Sequence, residues 1–370
     1  MSNVNSESPV PFNDLGRGTT SIRAEIDEAI SRVVSSGWYV LGPEHNSFEV
    51  ELAAYVGTAH AVGVGNGTDA LQLGLTALGV QPGDSVLTAA NAGGYTSTAA
   101  RSIGAIPVFA DVDPESMLLT AATIASAVDG LDAAPKVIVV THLFGTAAGV
   151  EEIVEWAHAR GISVLEDCAQ SLGAMVGARR AGSIADVSTT SFYPTKNLGA
   201  LGDGGAVLTS NDETAVRLRQ LRQYGWTSKY HTSVSGGRNS RLDELQAAIL
   251  RAKLPLLDGW NERRRQIHSR YESAVSPNAR MVNTANEGFV GHLAVVEVSD
   301  RVAAKSVFDA HGVKTDVHYP TPDHLQPIAS GSEWTLPVTE RIAEHIVSVP
   351  LFPELTDAEI DRVCAALAEL

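Results

Sequence analysis

A lysine on a glycine-rich segment is the first residue of this 370-residue sequence that could do chemistry. Lys196 follows a short β-branched run, and aromatic residues and glycines flank it over 191–205 without a second positive charge. A lone lysine is usually a solvated surface residue. A lysine deprived of water, however, has a lowered pKa, and its uncharged amine is a nucleophile. The surroundings of Lys196 favour this second role.

Two more chemically suggestive segments follow predicted strands. Glu166 and Asp167 end an apolar run, where an acid is either a helix N-cap or the partner of a buried cation. Residues 65–70, Gly-Asn-Gly-Thr-Asp-Ala, lie between a predicted strand and a predicted helix. Free backbone N–H groups and the helix dipole favour an anion at such a position. The alternative for this glycine pair is a plain tight turn.

An anion cradle, a strand-end carboxylate and a strand-end lysine on one rim of a sheet match what pyridoxal 5'-phosphate requires. The cradle around Gly67 would hold the phosphate, Asp167 would keep the ring nitrogen protonated, and Lys196 would form a Schiff base with the aldehyde. The sequence therefore predicts pyridoxal 5'-phosphate as the cofactor. No metal site is predicted, because the two cysteines, Cys168 and Cys364, lie far apart in the sequence.

The glycine loop also fits G-x-G-x-x-A, the fingerprint of dinucleotide binding. A nicotinamide-dependent dehydrogenase is thus an alternative. The acid at the expected spacing, Asp84, precedes the second predicted strand, whereas the ribose-binding acid belongs at the end of that strand. This alternative also leaves Lys196 without a role.

The elements that must position these residues alternate between short β-branched runs and amphipathic helical patterns. This alternation is typical of a mostly parallel sheet covered by helices, which binds ligands beyond the carboxyl ends of its strands. The sequence predicts an α/β fold with seven strands, over 60–64, 85–89, 106–110, 136–141, 162–166, 187–192 and 206–209. Helices are predicted over 22–34, 71–78 and 149–160.

The pattern changes near residue 256, which predicts a large α/β domain over 1–255 and a smaller α+β domain over 256–370. The smaller domain contains a predicted helix over 260–275, strands over 292–298, 313–318 and 346–349, and a closing helix. Thr356 and Glu359 have the spacing of a capping box at the start of that last helix. The N-terminal segment could pack on either domain.

Composition and charge exclude several classes of protein. The sequence is 44% hydrophobic and 19% charged, which suffices for a large core and excludes a disordered chain. The formal net charge of −16 gives no attraction to nucleic acid or to an anionic membrane. The first residues lack the order of a signal peptide, and no apolar run is long enough to span a bilayer. We therefore expect a cytoplasmic protein without a membrane partner.

Four segments, over 65–71, 166–174, 191–205 and 237–248, resemble the DegT/StrS family of fold type I, pyridoxal-phosphate-dependent sugar aminotransferases. The resemblance extends over nearly the whole chain, and it implies that Lys196 and Asp167 are the catalytic residues. It also implies that Gln170 contacts the ring hydroxyl and that Tyr95 stacks on the ring, although Tyr95 could instead be a core tyrosine. The implied phosphate contacts are Gly67, Thr68, Asp69 and Ser191.

The resemblance further implies an obligate homodimer with shared active sites, because Asn239 belongs to a loop that contacts the phosphate of the neighbouring subunit. Further implied substrate contacts are His318, Tyr319 and His324 on the small-domain wall, together with Lys229 and Tyr230. For either histidine, a satisfied core or surface residue is the alternative.

The implied reaction moves an amino group from L-glutamate to the keto group of a nucleotide-linked deoxysugar. Residues 191–203 and 224–230 look most like members that aminate the 3-position of dTDP-3-keto-6-deoxyhexoses. The alternatives are amination at the 4-position of a 4-keto-6-deoxy sugar and a non-catalytic sensor that binds the cofactor. Retention of Lys196 argues against the dehydratase branch, in which a histidine replaces this lysine.

Overall fold

The structure is a computed structural model, and it describes residues 8–329 and 334–370. The helices of these residues are α1 (Leu15–Ser21), α2 (Arg23–Ser36), α3 (Pro43–Val56), α4 (Gly67–Ala77), α5 (Tyr95–Ser102), α6 (Ala121–Asp129), α7 (Val150–His158), α8 (Asp212–Leu221), α9 (Glu244–Lys253), α10 (Leu257–Ala274), α11 (Arg301–Ala310), α12 (Pro337–His345) and α13 (Asp357–Ala368). The strands are β1 (His60–Val64), β2 (Ser85–Ala89), β3 (Ile106–Ala110), β4 (Val137–Thr141), β5 (Ser163–Asp167), β6 (Met175–Val176), β7 (Arg179–Arg180), β8 (Val187–Ser191), β9 (Gly205–Thr209), β10 (Trp226–Ser228), β11 (His231–Thr232), β12 (Arg280–Met281), β13 (Ala294–Glu297) and β14 (Ile346–Val349).

Seven strands form the central sheet in the order β1-β9-β8-β5-β4-β2-β3. All of them run in one direction except β9, which is antiparallel to both of its neighbours. The register aligns the strand ends: Gly205 pairs with both Val64 and Ser191, and Asp167 pairs with Thr189. The residues after β1, β5 and β8 therefore meet at one edge, and the predicted mostly parallel α/β fold is confirmed.

Helices cover both faces of this sheet, and the apolar side chains of the interior strand β4 show why, because they alternate between two cores. Val137 and Val139 of β4 pack in the core that includes residues of α4, α5 and α8. Ile138 and Val140 pack in the opposite core, with Ile153 of α7. A strand with apolar residues on both faces must be covered on both sides, which explains the continuous apolar run of β4.

The seven predicted strands of the central sheet are confirmed, each within one residue at either end. The predicted strand over 313–318 is wrong: Val313 bridges Val10 and Asp316 bridges Ser348, but no ladder forms between them. Helix α4 begins four residues earlier than predicted, at Gly67, because the Asn66 side chain caps it. The capping box at the start of α13 is confirmed, since Thr356 and Glu359 exchange both hydrogen bonds.

The C-terminal elements build a second core around the three-stranded antiparallel sheet β12-β13-β14. Phe308 of α11 and Ile360 of α13 are buried in it. The N-terminal segment contacts both parts of the chain: Ile26 of α2 packs on Ile249 of α9, whereas Arg17 pairs with Glu359 of α13. The division of the chain at residue 255 stays a prediction.

Among residues 8–329 and 334–370, the structure contains no helix with both the length and the apolar character needed to cross a membrane. The longest helix, α10, spans 18 residues and carries charged side chains, including the consecutive arginines Arg263, Arg264 and Arg265.

Candidate active site

A cavity of about 720 Å³ opens where the strand ends of the central sheet meet. Residues at the ends of β1, β5 and β8, the start of α5, an N-terminal segment and three C-terminal segments form its walls. The structure brings together in this cavity nine residues that the sequence predicted: Gly67, Thr68, Tyr95, Asp167, Gln170, Ser191, Lys196, His318 and Tyr319.

The N-terminus of α4 forms one end of the cavity. Asn66 caps this helix by accepting the Asp69 N–H at 2.8 Å, so the first-turn N–H groups of Gly67 and Thr68 have no intrahelical acceptor. A methyl group on Gly67 would lie 2.7 Å from Ser191 Cβ, and therefore glycine is required for this approach. Ser191 Oγ accepts the Tyr193 N–H at 3.2 Å, which leaves its hydroxyl hydrogen free to donate. These donors suit an anion such as phosphate.

Asp167 ends β5 and is 6% exposed. Its Oδ1 accepts the Ala169 N–H at 3.1 Å, which is the kind of contact that an N-cap residue makes. Burial raises the pKa of this carboxyl, although the Ala169 hydrogen bond and the charge of Lys196 both act to lower it. Asp167 lines the cavity, where its carboxyl can accept a cationic N–H group.

Lys196 lies in the loop between β8 and β9. The loop is tightly folded: the Lys196 N–H donates to Tyr193 O at 2.8 Å, and a methyl group on Gly199 would lie 2.4 Å from Pro194 O. Burial lowers the pKa of Lys196 to about 8, and the charge of Asp167 opposes this shift. The amine faces the cavity yet is surrounded by protein, and within residues 8–329 and 334–370 it has no hydrogen-bond or ion-pair partner.

Gln170 and two tyrosines line the opposite wall. Gln170 Oε1 accepts the Phe144 N–H at 2.6 Å, and its Nε2 donates to the Tyr319 hydroxyl at 3.1 Å, which leaves one Nε2 hydrogen for a ligand. Tyr95 is 49% exposed and contacts Tyr319 edge to face, with ring centroids 6.0 Å apart. Tyr95 therefore belongs to the cavity wall and not to the core.

Asp69 and His324 do not line the cavity. The Asp69 carboxylate accepts hydrogen bonds from Ser240 Oγ at 2.7 Å and from Arg238 at 3.3 Å, and its N–H is already bonded to Asn66. Asp69 thus fastens the 238–240 loop to α4. His324 is 5% exposed, and its Nε2 lies 3.1 Å from Glu340.

Three other predicted residues lie on the surface of the chain, outside its own cavity. Lys229 and Tyr230 are in the connection between β10 and β11, where the Lys229 amine lies 5.1 Å from the Tyr230 ring centroid. Tyr230 is 78% exposed. Asn239 is exposed, and its backbone bridges Gln223.

Phe12 and His292 also line the cavity, although the sequence pattern assigned them no role. Phe12 stacks on His318 with ring centroids 5.6 Å apart. His292 is 8% exposed, and its Nδ1 lies 3.0 Å from Asn197 Oδ1. The sequence held one indication of a role for His292. It is a single histidine within the apolar run 289–296, and a buried polar side chain needs a hydrogen-bond partner.

One buried cluster beside the cavity combines metal-ligating residue types: His142, Glu166 and Cys168, with ligand atoms within 4.8 Å of one another. Glu166 already accepts N–H groups of Gly182 and Ala185 in addition to its contact with His142. Burial raises the pKa of the Cys168 thiol well above its ordinary value, which disfavours the thiolate that binds metals. The absence of a metal site stays a prediction.

Comparison with known proteins agrees with this geometry. The chain is 41% identical over 371 residues to the dTDP-3-amino-3,4,6-trideoxy-alpha-D-glucose transaminase of Streptomyces venezuelae, with 98% of this chain and 97% of the relative covered. It superimposes on the crystal structure of DesV from S. venezuelae, solved with a ketimine intermediate, with a TM-score of 0.94, 41% identity and 98% coverage of both chains. NtdA from Bacillus subtilis, solved with the cofactor PMP, gives a TM-score of 0.92 and 30% identity, covering 100% of this chain and 86% of NtdA.

The match to a family covers almost the whole chain, residues 20–368. Aminotransferases of this family depend on pyridoxal phosphate. The chain belongs to the DegT/DnrJ/EryC1/StrS aminotransferase family.

Proposed function

We propose that this chain binds pyridoxal 5'-phosphate in the cavity at the sheet edge. One observation carries the proposal: free N–H groups at the start of α4, the Asp167 carboxylate and the Lys196 amine, which has no partner among the described residues, all face the same space. The close packing of Gly67 against Ser191 fits a phosphate cradle, because a side chain there would fill it. Gly67, Thr68 and Ser191 would hold the phosphate, Asp167 the ring nitrogen and Gln170 the ring hydroxyl.

We infer that the amino group passes from L-glutamate to the 3-keto group of a dTDP-linked 6-deoxyhexose. The name of the S. venezuelae relative, a dTDP-3-amino sugar transaminase at 41% identity, supports this substrate class. The combination of apolar rings and polar side chains in the wall suits a sugar, which offers hydroxyl groups and apolar faces.

When bound, pyridoxal phosphate supplies an electron-withdrawing ring that stabilises negative charge on the substrate carbon. Asp167 contributes by holding a proton on the ring nitrogen, since a buried carboxylate stabilises a cation beside it. Lys196 would act as both base and acid: its free amine would take a proton from the α-carbon of the amino donor and release it again later in the transfer. A pKa of about 8 suits an amine that must both accept and release a proton near neutral pH.

The C-terminal wall would orient the sugar and limit access of water. Burial and the nearby Lys196 lower the pKa of His318, although the charge of Asp316 acts to raise it, and Nδ1 lies 2.9 Å from the Ser348 hydroxyl. Tyr319 is held by Gln170, which ties this wall to the cofactor end of the cavity. We propose that His318 and Tyr319 contact the sugar.

We also propose a homodimer whose subunits share active sites. Trp38 and Tyr39 are each more than half exposed and lie next to α9, since the Glu244 N–H bonds Tyr39 O. Exposed Tyr224 lies beside the Asn239 loop, since its N–H donates to Arg238 O at 3.0 Å, and Tyr230 is also exposed. Such exposed aromatic side chains are typical of a surface that another chain covers. Asn239 and Lys229 would then face the cavity of the partner subunit.

The test is an absorbance spectrum of the protein with pyridoxal phosphate, recorded before and after L-glutamate is added. We expect a visible band that moves to the shorter wavelength of pyridoxamine phosphate. A band that glutamate leaves unchanged would favour the sensor alternative or a different donor. Addition of dTDP-3-keto-6-deoxyglucose should restore the visible band, and NMR of the product distinguishes amination at C3 from amination at C4.

A further inference from the structure

His292 occupies a fixed position in the cavity wall, just before β13. Its neighbours are bonded to the segment after β4: the Leu293 N–H donates to Phe144 O at 3.1 Å and the Val290 N–H donates to Gly145 O at 2.9 Å. A methyl group on Gly145 would lie 2.8 Å from the backbone nitrogen of His292, so this close approach requires glycine. The imidazole is therefore carried by a well-anchored backbone.

A relay of side-chain amides determines which imidazole nitrogen carries the hydrogen. Asn261 Nδ2 donates to the carbonyl of Leu172 at 3.0 Å, so Asn261 Oδ1 accepts from Asn197 Nδ2 at 2.8 Å. Asn197 Nδ2 also donates to the carbonyl of Val290 at 2.9 Å, which leaves Asn197 Oδ1 as an acceptor. His292 Nδ1, 3.0 Å from that oxygen, must be the donor. Main-chain carbonyls cannot act as donors, and they therefore fix every orientation in the relay.

The His292 imidazole is neutral. Burial lowers its pKa well below the ordinary value, and the nearby Lys196, Arg264 and His318 lower it further. With the hydrogen on Nδ1, a neutral ring has its lone pair on Nε2. In the part of the chain that the structure describes, Nε2 has no hydrogen-bond partner. His292 thus offers a hydrogen-bond acceptor to the cavity.

The Lys196 amine is the donor that this lone pair fits. Lys196 directly precedes Asn197, lines the same cavity, and also lacks a partner for its amine in the described residues. The two side chains are not bonded to each other here, but the four-carbon stem of lysine is flexible.

We propose that His292 is a positioning residue for Lys196: its Nε2 accepts a hydrogen bond from the free Lys196 amine when the lysine stem turns toward it. The proposal rests on Lys196 being the reactive amine of the proposed function. The hydrogen bond keeps the free amine near the reacting carbon. Because the imidazole stays neutral, it orients the amine without taking the proton that Lys196 must transfer.

The test measures the titration of Lys196 in the cofactor-free chain, by acetic anhydride labelling at several pH values and mass spectrometry of the peptides. His292→Leu removes the acceptor, whereas His292→Gln can present its amide oxygen near the position of Nε2. A hydrogen bond to a neutral acceptor favours the charged ammonium, so we expect the pKa of Lys196 to fall by roughly one unit in the Leu variant. In the Gln variant, the pKa of Lys196 should return most of the way to its value in the parent protein. Exposed Lys305 is the internal control and should not change.

An unchanged Lys196 titration in His292→Leu, or equal shifts in the Leu and Gln variants, would overturn the proposal. If the Leu variant does not fold, imidazole ¹⁵N spectra of the parent protein decide, with the Gln variant identifying the signals. We expect a neutral Nδ1–H ring at neutral pH, and an Nε2–H ring or a charged ring would contradict the relay. Neither measurement uses cofactor or sugar. A negative glutamate experiment alongside a positive result here would therefore count against the proposed function alone.

Discussion

Lys196 and Asp167 influence each other across the cavity. Burial lowers the pKa of Lys196 to about 8, and the carboxylate of Asp167 keeps it from falling further. In return, the ammonium of Lys196 acts to lower the pKa of Asp167, which burial raises. The amount of free amine at neutral pH is thus set by a balance between lost hydration and one opposite charge.

This balance predicts the effect of Asp167→Asn on Lys196. Removal of the negative charge leaves only the burial effect on the ammonium, so the pKa of Lys196 should move below about 8. In the labelling assay, the free amine would then appear at lower pH than in the parent. A midpoint that rises or does not move would show that the two groups are not coupled.

Lys196→Ala should keep the fold and lose covalent attachment of the cofactor. The amine is unpartnered among the described residues, so its removal breaks no hydrogen bond of the protein. We expect no borohydride-trapped pyridoxyl group and a turnover at least about 1,000-fold lower. Lys305→Ala is the matched control, because Lys305 is exposed on α11. Turnover at the parent rate in Lys196→Ala would refute the assignment of the nucleophile.

At the scale of elements, a buried ionic network joins α3 to β1 and α8. Glu49 of α3 accepts the Gly63 N–H at 2.7 Å, contacts His45 at 2.8 Å and bonds Arg222, which follows α8. These contacts lower the pKa of Glu49 to about 2 despite its burial. The network fixes β1 at the edge of the sheet, and the residues of the proposed phosphate cradle follow shortly after β1.

Glu49→Gln should therefore destabilise the protein by about 3 kcal/mol at neutral pH, because Arg222 loses its buried counter-charge. The folded pKa is below the ordinary value of 4.5, so the stabilisation is complete above about pH 4.5 and is lost as pH falls toward 2. Urea unfolding at neutral and acid pH should show the gap between parent and variant narrowing in acid. Glu51→Gln, which affects a more exposed pair with Arg251, should cost less than about 1 kcal/mol. Equal losses for the two variants would contradict this account.

The strands of the central sheet could be predicted because their apolar runs are bounded by glycine and polar residues. The segment over 313–318 has the same local pattern, yet it meets only single bridging partners, and sequence periodicity cannot show whether a neighbour is in place. The start of α4 was missed because Gly67 and Thr68 are poor helix formers, and a capping bond to Asn66 overrides that preference.

The site itself was predictable wherever a residue ends a strand or follows it within a few positions. Gly67, Asp167, Ser191 and Lys196 meet because parallel strands end together. Asp69 and His324 could not be placed, because their orientations depend on tertiary contacts, with Ser240 in a distant loop and with Glu340 of α12. His292 was missed for the same reason.

At the scale of the whole molecule, shared active sites predict that two inactive variants can complement each other. Lys196→Ala removes the amine of a subunit's own site, whereas Asn239→Ala would remove the contact supplied to the partner's site. In a mixed dimer one site would carry both defects and the other neither. Unfolding and refolding an equal mixture should restore about a quarter of the parent activity, since half of the dimers are mixed and each has one intact site.

Each variant refolded alone is the control and should remain nearly inactive. A mixture no more active than the sum of these controls would show that Asn239 serves its own subunit or no site at all. Sedimentation at micromolar concentration reports independently whether the chain is dimeric.

The position of β1 at the edge of the sheet determines when the active site can appear during synthesis. Its neighbour β9 is separated from it by residues 65–204, which build the other strands first. A ribosome-bound chain that ends before β9 therefore contains the α4 loop but not the strand that fixes it beside Ser191. The segment carrying Lys196 emerges just ahead of β9, so the amine and its phosphate cradle mature together. Translation thus completes the cradle and the lysine loop in one step, whereas the wall that includes His318 and Tyr319 is added later. Nascent chains that end before β9 carry an unpaired β1.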